Sequence, residues 1–322
     1  MNTGTLEPMN LEHTMKSWTG RTDGDGPEHV RWHNVVQPAQ LDASIDSPGI
    51  SLIGFASDEG VRRNSGRQGA AKAPDLIRTA LAGQAVHFDT PVRETGTVAY
   101  EGRDLESGQA ALADAVRKRV AAGDTAIVLG GGHETAYATG HGLREASGGK
   151  NIAIINLDAH FDLRTADEPT SGTPFLQLAN EAEEAGEEFD YSVLGISHPG
   201  NTRVLFDEAE RLGVGYWTDT EMAAMSIAEV ADLATKLTDD ADIVHLSIDL
   251  DVLPAGTAPG VSAPAALGVD FPRILAAATA IAATGKLALV DMVEFNPEYD
   301  IDSRTAKVAA RLINDIVCAL PA

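Results

Sequence analysis

The chain is poor in cysteine, in aromatic residues and in positive charge. Cys318, near the C-terminus, is the single cysteine among 322 residues. An internal disulfide is therefore excluded, and a reducing compartment is the expectation. Aromatic residues make up 5% of the chain, so the core must be built mainly from Ala, Val, Ile and Leu. The hydrophobic content of 43% is enough for a sizeable one. Lys and Arg together number 24 against 48 Asp and Glu, a net charge of −24. Nucleic acid and anionic membranes need a basic face, so neither is an expected partner. The acidic residues are spread along the chain, and Lys is scarce beside Arg. That pattern fits a halophilic cytosol, where salt screens self-repulsion. No charged-then-apolar leader opens the sequence, and the longest near-continuous apolar stretch, around Ile274–Ala283, is too short to span a bilayer. A soluble cytoplasmic protein is the expectation.

Residues 1–48 are polar and irregular, and read as an N-terminal surface arm belonging to the same domain as the rest. From about residue 49 to 322 apolar runs alternate with helix-like segments. The runs read as strands are Ile50–Phe55, Thr125–Leu129, Asn151–Leu157, Tyr191–Ile196, Ile243–Ile248 and Lys286–Met292. Helical spacing marks Pro74–Ala82, Asp104–Ala122, Thr135–Glu145, Phe175–Ala185, Val204–Leu212, Ser226–Leu237, Phe271–Ala283 and Arg304–Leu320, with Ser226 and Asp270 as N-cap candidates. Nearly all-apolar strands alternating with helices predict an α/β fold: one domain, three layers, helices on both faces of a mainly parallel sheet. Ligands in such sheets bind outside the carboxyl ends of the strands.

The candidate chemistry sits at those ends. Asn156-Leu157-Asp158-Ala159-His160-Phe161-Asp162 follows one strand, and Ser247-Ile248-Asp249-Leu250-Asp251 follows another. In an extended chain every second residue points the same way, so Asp158, His160 and Asp162 are expected to converge, and likewise Asp249 and Asp251. A third strand ends in Gly130-Gly131-Gly132-His133. Any one of these residues alone is more simply a strand-end cap. All six together, with no basic residue beside them, would repel one another without a cation. Carboxylates and imidazoles without thiolate suit Mn²⁺ better than structural zinc, and the number suits two ions. The glycine run lacks the Gly-x-Gly-x-x-Gly and Gly-Lys-Ser/Thr patterns, so it reads as a tight turn presenting His133 rather than a phosphate cradle. Glu134 is expected in the first turn of the next helix, where its charge favours the dipole. Glu294, at the end of the last strand, can pair with an amidine or guanidine, or equally with a structural cation.

The motifs Gly-Gly-Gly-His, Asn-Leu-Asp-Ala-His-Phe-Asp, Ser-Ile-Asp-Leu-Asp and Val-Glu-Phe-Asn-Pro occur in this order. The chain resembles the ureohydrolase superfamily of arginase and agmatinase from about Ile50 onward. The resemblance implies an arginase-like fold, a homo-oligomer and two Mn²⁺ per chain. His133, Asp158, Asp162 and Asp249 would hold one ion, and His160, Asp158, Asp249 and Asp251 the other, with Asp158 and Asp249 bridging. Asp162 would also relay a proton, and Glu294 would meet the amidine-type group of the substrate.

Departures from the arginase pattern narrow the substrate. Phe175 stands where arginase has its shuttle histidine, Arg164 where it has a carboxylate-binding Asn, and Gly195-Ile196-Ser197-His198 where it grips a free amine. With Trp18-Thr19-Gly20-Arg21, Arg31-Trp32-His33 and the stretch from Ser57 to Arg67, these features resemble the branch of the superfamily that hydrolyses N-formimidoyl-L-glutamate. Its dicarboxylate would need guanidinium forks. Arg164 ranks first, ahead of Arg62, Arg63 and Arg67, with Ser171, Asn64 and Asn201 as neutral donors. Alternatives are another amidine or guanidine hydrolase of the superfamily (guanidinobutyrase, agmatinase or arginase), a non-catalytic metal-binding paralogue, and a single-zinc deacetylase-type site.

Overall fold

The structure, a computed structural model, describes residues 6–7, 14–100 and 102–321. Ten strands build one sheet: β1 (Leu6–Glu7), β2 (Val36–Pro38), β3 (Ile50–Phe55), β4 (Val92–Tyr100), β5 (Thr125–Leu129), β6 (Ile152–Leu157), β7 (Asp190–Ile196), β8 (Gly215–Thr218), β9 (Ile243–Asp249) and β10 (Leu287–Val293). Their order is β1-β4-β3-β5-β10-β9-β6-β7-β8, with β2 also against β4. The β1–β4 pairing is antiparallel. The other pairings are parallel. The helices are α1 (Trp32–Val35), α2 (Glu59–Arg63), α3 (Ala73–Ala82), α4 (Leu105–Ala122), α5 (Thr135–Ser147), α6 (Pro174–Ala185), α7 (Arg203–Leu212), α8 (Asp219–Ala224), α9 (Ile227–Lys236), α10 (Phe271–Ala283) and α11 (Arg304–Ala319).

Strand alternation divides the core between two faces. Leu52, Ile127, Ile155, Leu246 and Val290 pack with α3, α9, α10 and α11. Ile53, Phe55 and Val128 pack with α4 and α5. Ile154 and Val193 pack with α6 and α7 on that same second side. Helices therefore cover both faces of a mainly parallel sheet, as the apolar runs implied.

Four strands were not legible as apolar runs. In β4 the polar Glu94 is fully buried because the equally buried Arg78 grips it through Nε and Nη2 at 2.8 and 2.9 Å. β1, β2 and β8 are too short to show a period. The expected polar arm also differs. Residues 1–5 and 8–13 of it lie outside the described residues, but Trp18 and Trp32 join the main core. Trp32 is fully buried, stacks beside Trp18 and donates Nε1 to Asn314 Oδ1 at 2.9 Å. Two large rings outweigh the polar composition around them.

Ser226 caps α9 in a reciprocal box with Glu229. Asp270 stands at the N-cap of α10, yet its carboxylate pairs with Arg273 at 2.7 Å instead of the helix backbone.

Candidate metal centre

Four neighbouring strands, β5, β10, β9 and β6, end at one place. His133 follows β5, Glu294 follows β10, Asp249 closes β9 and Asp158 follows β6. His133 Nδ1 lies 3.1 Å from Asp158 Oδ2, 2.9 Å from Asp162 Oδ2 and 3.2 Å from Asp249 Oδ2. His160 Nδ1 lies 3.6 Å from Asp158 Oδ1 and 3.2 Å from Asp251 Oδ2. Asp158 thus turns one oxygen to each histidine. Five of the six expected ligands form two groups that share it, His133–Asp158–Asp162 and Asp158–His160–Asp251, and Asp249 lies against His133 beside the first.

The convergence does not come from extended alternation. β6 stops at Leu157, and residues 158–162 form a loop. Asp158 Oδ1 accepts the His160 backbone N–H at 2.7 Å, and Asp162 takes a positive φ of 50°. Asp251 lies in a short 3-10 turn whose N–H donates to Asp249 Oδ1 at 2.7 Å. That bond ties the second oxygen of Asp249 to the turn. Asp249 Oδ2 faces His133, while its Oδ1 holds the turn in the same way that Asp158 Oδ1 holds the His160 amide.

The glycines serve close approach. A Cβ on Gly131 would fall 1.7 Å from the carbonyl oxygen of Ser57, and Gly131 O accepts Glu294 N–H at 2.8 Å. Glu134 makes no side-chain cap bond to the helix. It is fully buried at the N-cap of α5 and turns back, accepting from Ser57 Oγ at 2.6 Å and from Gly60 N at 3.1 Å.

Electrostatics favour cations here. Four aspartates and two imidazoles sit within touching distance, and all but His160 are buried. Burial raises the Asp249 carboxyl well above its usual range, and the charges of Asp251 and Asp158 raise it further. Burial would lower His133, but Asp158, Asp162 and Asp249 more than reverse this. His133 Nδ1 and Asp251 Oδ1 are buried without hydrogen-bond partners, as ligand atoms awaiting a metal would be. Two divalent cations would cancel the four carboxylate charges, so the donor set fits the expected pair.

His133 is oriented from behind. Its Nε2 meets Ser247 Oγ at 2.9 Å, which frees Nδ1 for the cluster. Its ring packs edge-on against Phe175 at 5.3 Å, and Phe175 stacks on Tyr191 at 4.4 Å. Ser247 escaped the sequence reading, although it stands two residues before Asp249 and strand alternation puts it on the same face. Ser262 was also missed. Its hydroxyl donates to Glu294 Oε2, while Glu294 Oε1 accepts His133 N–H at 2.7 Å. No sequence pattern marks Ser262. Burial, and then the charge of Glu134, push the Glu294 carboxyl up to about 8.

The expected substrate residues divide. Arg164 is exposed, with no side-chain partner among the described residues, and lies with Asn64 over Gly172. Asn64 Nδ2 donates to Ser171 Oγ at 3.1 Å. These three form one group. Asn201 is not a free donor: its Oδ1 accepts Phe161 N–H at 3.2 Å and its Nδ2 reaches the carbonyls of Ala159 and Ser197, each at 2.9 Å. It braces the His160 loop. Arg67 is occupied as well, donating to the carbonyls of Ser262 and Val261 under the ring of Tyr299. Arg62 is paired with Glu59 through two 2.6 Å bonds, and Arg63 with Glu59 and Glu106. In so acidic a chain, most arginines find a carboxylate or carbonyl of their own.

A parallel α/β sheet with a two-cation cluster at its carboxyl edge defines the class, a metal-dependent hydrolase of the two-cation type. The Arginase family model matches residues 48–319. The chain is 50% identical over 303 residues to the formimidoylglutamase of Rhodococcus opacus, covering 93% of this chain and 94% of that one. It is 50% identical over 299 residues to the formimidoylglutamase of Chromobacterium violaceum, covering 92% and 96%. The crystal structure of Trypanosoma cruzi formiminoglutamase with two Mn²⁺ superposes with a TM-score of 0.78 at 25% identity, covering 88% and 99% of the chains. Formimidoylglutamase of Bacillus subtilis shares the fold, with a TM-score of 0.80 at 22% identity over 90% and 91%. The protein belongs to the arginase family.

Proposed function

We propose that this chain hydrolyses N-formimidoyl-L-glutamate to L-glutamate and formamide in histidine degradation, as a formimidoylglutamase using two Mn²⁺. The observation that carries this reading is identity at the 50% level with formimidoylglutamases over more than nine-tenths of the chain, joined to a complete six-residue cluster. The catalytic domain runs over 49–322, with 1–48 as an arm of the same domain.

His133, Asp158, Asp162 and Asp249 would hold one ion, and His160, Asp158, Asp249 and Asp251 the other, with Asp158 and Asp249 shared. Bound there, the pair supplies a nucleophilic water at neutral pH and stabilises charge developing at the formimino carbon. Asp162 Oδ2, made more basic by burial and by the charge of Asp158, takes the proton of the attacking water and returns it to the departing glutamate nitrogen. Glu294 meets the formimino nitrogen. Arg164, Asn64 and Ser171 receive the carboxylates at the mouth, where the one unpaired guanidinium of that group supplies a fork.

Incubation with N-formimidoyl-L-glutamate and Mn²⁺, followed by product identification, tests the reading. Formamide and glutamate are expected. Urea from a guanidino substrate, with no formamide, would replace the reading with a guanidine hydrolase.

The same reading carries a cytoplasmic homo-oligomer. No helix among the described residues is long and apolar enough to cross a membrane. The charge of −24 leads us to a salt-dependent fold; retention of full structure after dialysis into salt-free buffer would count against it.

A further inference from the structure

Tyr191, on β7, is not among the candidate ligands, yet its contacts lead to three of them. It is 2% exposed, and Asn156 beside it is fully buried. Asn156 Nδ2 donates to Asp158 Oδ2 at 2.9 Å and to the Tyr191 hydroxyl at 3.0 Å. The Tyr191 hydroxyl donates to the Phe161 carbonyl at 3.0 Å. The proton count leaves these bonds one arrangement. A carboxylate and a carbonyl only accept, so Asn156 must show its amide nitrogen to Asp158, and the one hydroxyl proton must go to Phe161. The hydroxyl then accepts the second Asn156 N–H. The ring of Tyr191 stacks on Phe175 with centroids 4.4 Å apart, and Phe175 packs edge-on against His133 at 5.3 Å.

Each contact acts on one ligand of the same group. Asp158 Oδ2, held by Asn156, is the oxygen 3.1 Å from His133 Nδ1. The Phe161 carbonyl belongs to the peptide that enters Asp162, so holding it fixes the plane from which Asp162 departs at a φ of 50°. That left-handed conformation is uncommon for a residue with a Cβ, and the hydroxyl bond keeps the peptide from turning over. Phe175 confines the His133 ring. Among the described residues, Tyr191 makes no bond or ring contact with His160 or Asp251. We propose that Tyr191 is a positioning residue for the ion facing His133: through Asn156, Phe161 and Phe175 it sets Asp158, Asp162 and His133, so that ion depends on the hydroxyl far more than its neighbour does. Partners that orient ligands from behind govern metal affinity in this way. The inference rests on the two-Mn²⁺ part of the reading above and not on the substrate.

The test titrates Mn²⁺ into the metal-free protein by calorimetry, while electron paramagnetic resonance records whether the bound ions are single or paired. Tyr191→Phe keeps the stacked ring and loses the hydroxyl. Leu205→Ala trims the same core cluster at a residue with no polar side-chain atom. In Tyr191→Phe one of the two Mn²⁺ should bind about ten-fold or more weakly, and the other should keep its wild-type Kd. At Mn²⁺ concentrations that pair the ions in wild type, its spectrum should be that of a single ion. With N-formimidoyl-L-glutamate, kcat should fall and KM should hold. Leu205→Ala should lower Tm and leave both Kd values alone, which is the pattern of a merely structural role. Two wild-type Kd values in Tyr191→Phe, or equal weakening of both, overturn the inference. A wild type that binds fewer than two Mn²⁺ overturns the two-ion reading and the inference together. A wild type that holds the ion pair but releases no formamide overturns the functional reading alone, and the Kd values still decide the role of Tyr191.

Discussion

Asn64 and Ser171 are 107 residues apart in sequence and share a hydrogen bond of 3.1 Å. The bond joins the end of α2 to the loop before α6, and both sides flank Gly172, over which Arg164 lies. Two distant segments thus build one polar lip beside the aspartate cluster.

If that lip receives the substrate carboxylates, Arg164→Ala should raise KM for N-formimidoyl-L-glutamate about ten-fold or more while kcat changes less, since the lost contact exists in both ground and transition states. Asn201→Ala should behave differently. It removes three bonds that hold residues 159–161 and 197, so kcat and metal occupancy should suffer first. Steady-state kinetics on both variants check this; an unchanged KM in Arg164→Ala removes that residue from the substrate site.

His160→Ala and Asp249→Asn should each lower metal content as well as activity, because each takes a donor from the cluster. Loss of metal should also lower Tm, for the buried aspartates then face one another without a cation. Elemental analysis after gel filtration, with thermal scans with and without chelator, measures both effects. Two bound ions in His160→Ala with wild-type retention would contradict the assignment.

Glu59 gives a pH dependence of known sign. Hydrogen bonds from Arg62 hold its carboxyl below the ordinary 4.5, against the opposing effect of burial, and Arg63 adds to them. The folded value lies under the unfolded one. Its stabilisation is therefore fully present above about pH 4.5 and is lost as pH falls through the lower folded value. Glu59→Gln should destabilise the protein by about 1–2 kcal/mol near neutrality. It should also flatten the stability curve below pH 4.5, which denaturant titrations across that range would record.

Trp32→Ala should cost about 3–5 kcal/mol. It opens a cavity under Trp18 and Phe88 and strands the Asn314 oxygen. Urea unfolding at fixed salt measures the loss. A change below about 1 kcal/mol would mean that the N-terminal segment docks only loosely.

Much of this was written in the sequence, for identifiable reasons. Buried strands such as Ile50–Phe55 and Thr125–Leu129 show as unbroken apolar runs, and their observed bounds coincide with those runs. β4 was hidden because the Arg78–Glu94 pair puts charge into the core. The six cluster residues were legible because acids and imidazoles at strand ends have few other uses. Arg67 and Asn201 also serve backbone carbonyls and amides, ties that no pattern of residue types reveals. Ser262 touches Glu294 from a loop that carries no motif, so it had no signal of its own.

β10 is the last strand in the chain, yet it slots between β5 and β9 at the middle of the sheet. A ribosome that has passed Asp251, two residues beyond β9, has therefore made all six cluster residues without the strand that sets β5 beside β9. His133 then has nothing to register it against Asp249. The centre is consequently a late product of folding, and a prematurely terminated chain would carry every ligand and still capture no metal pair.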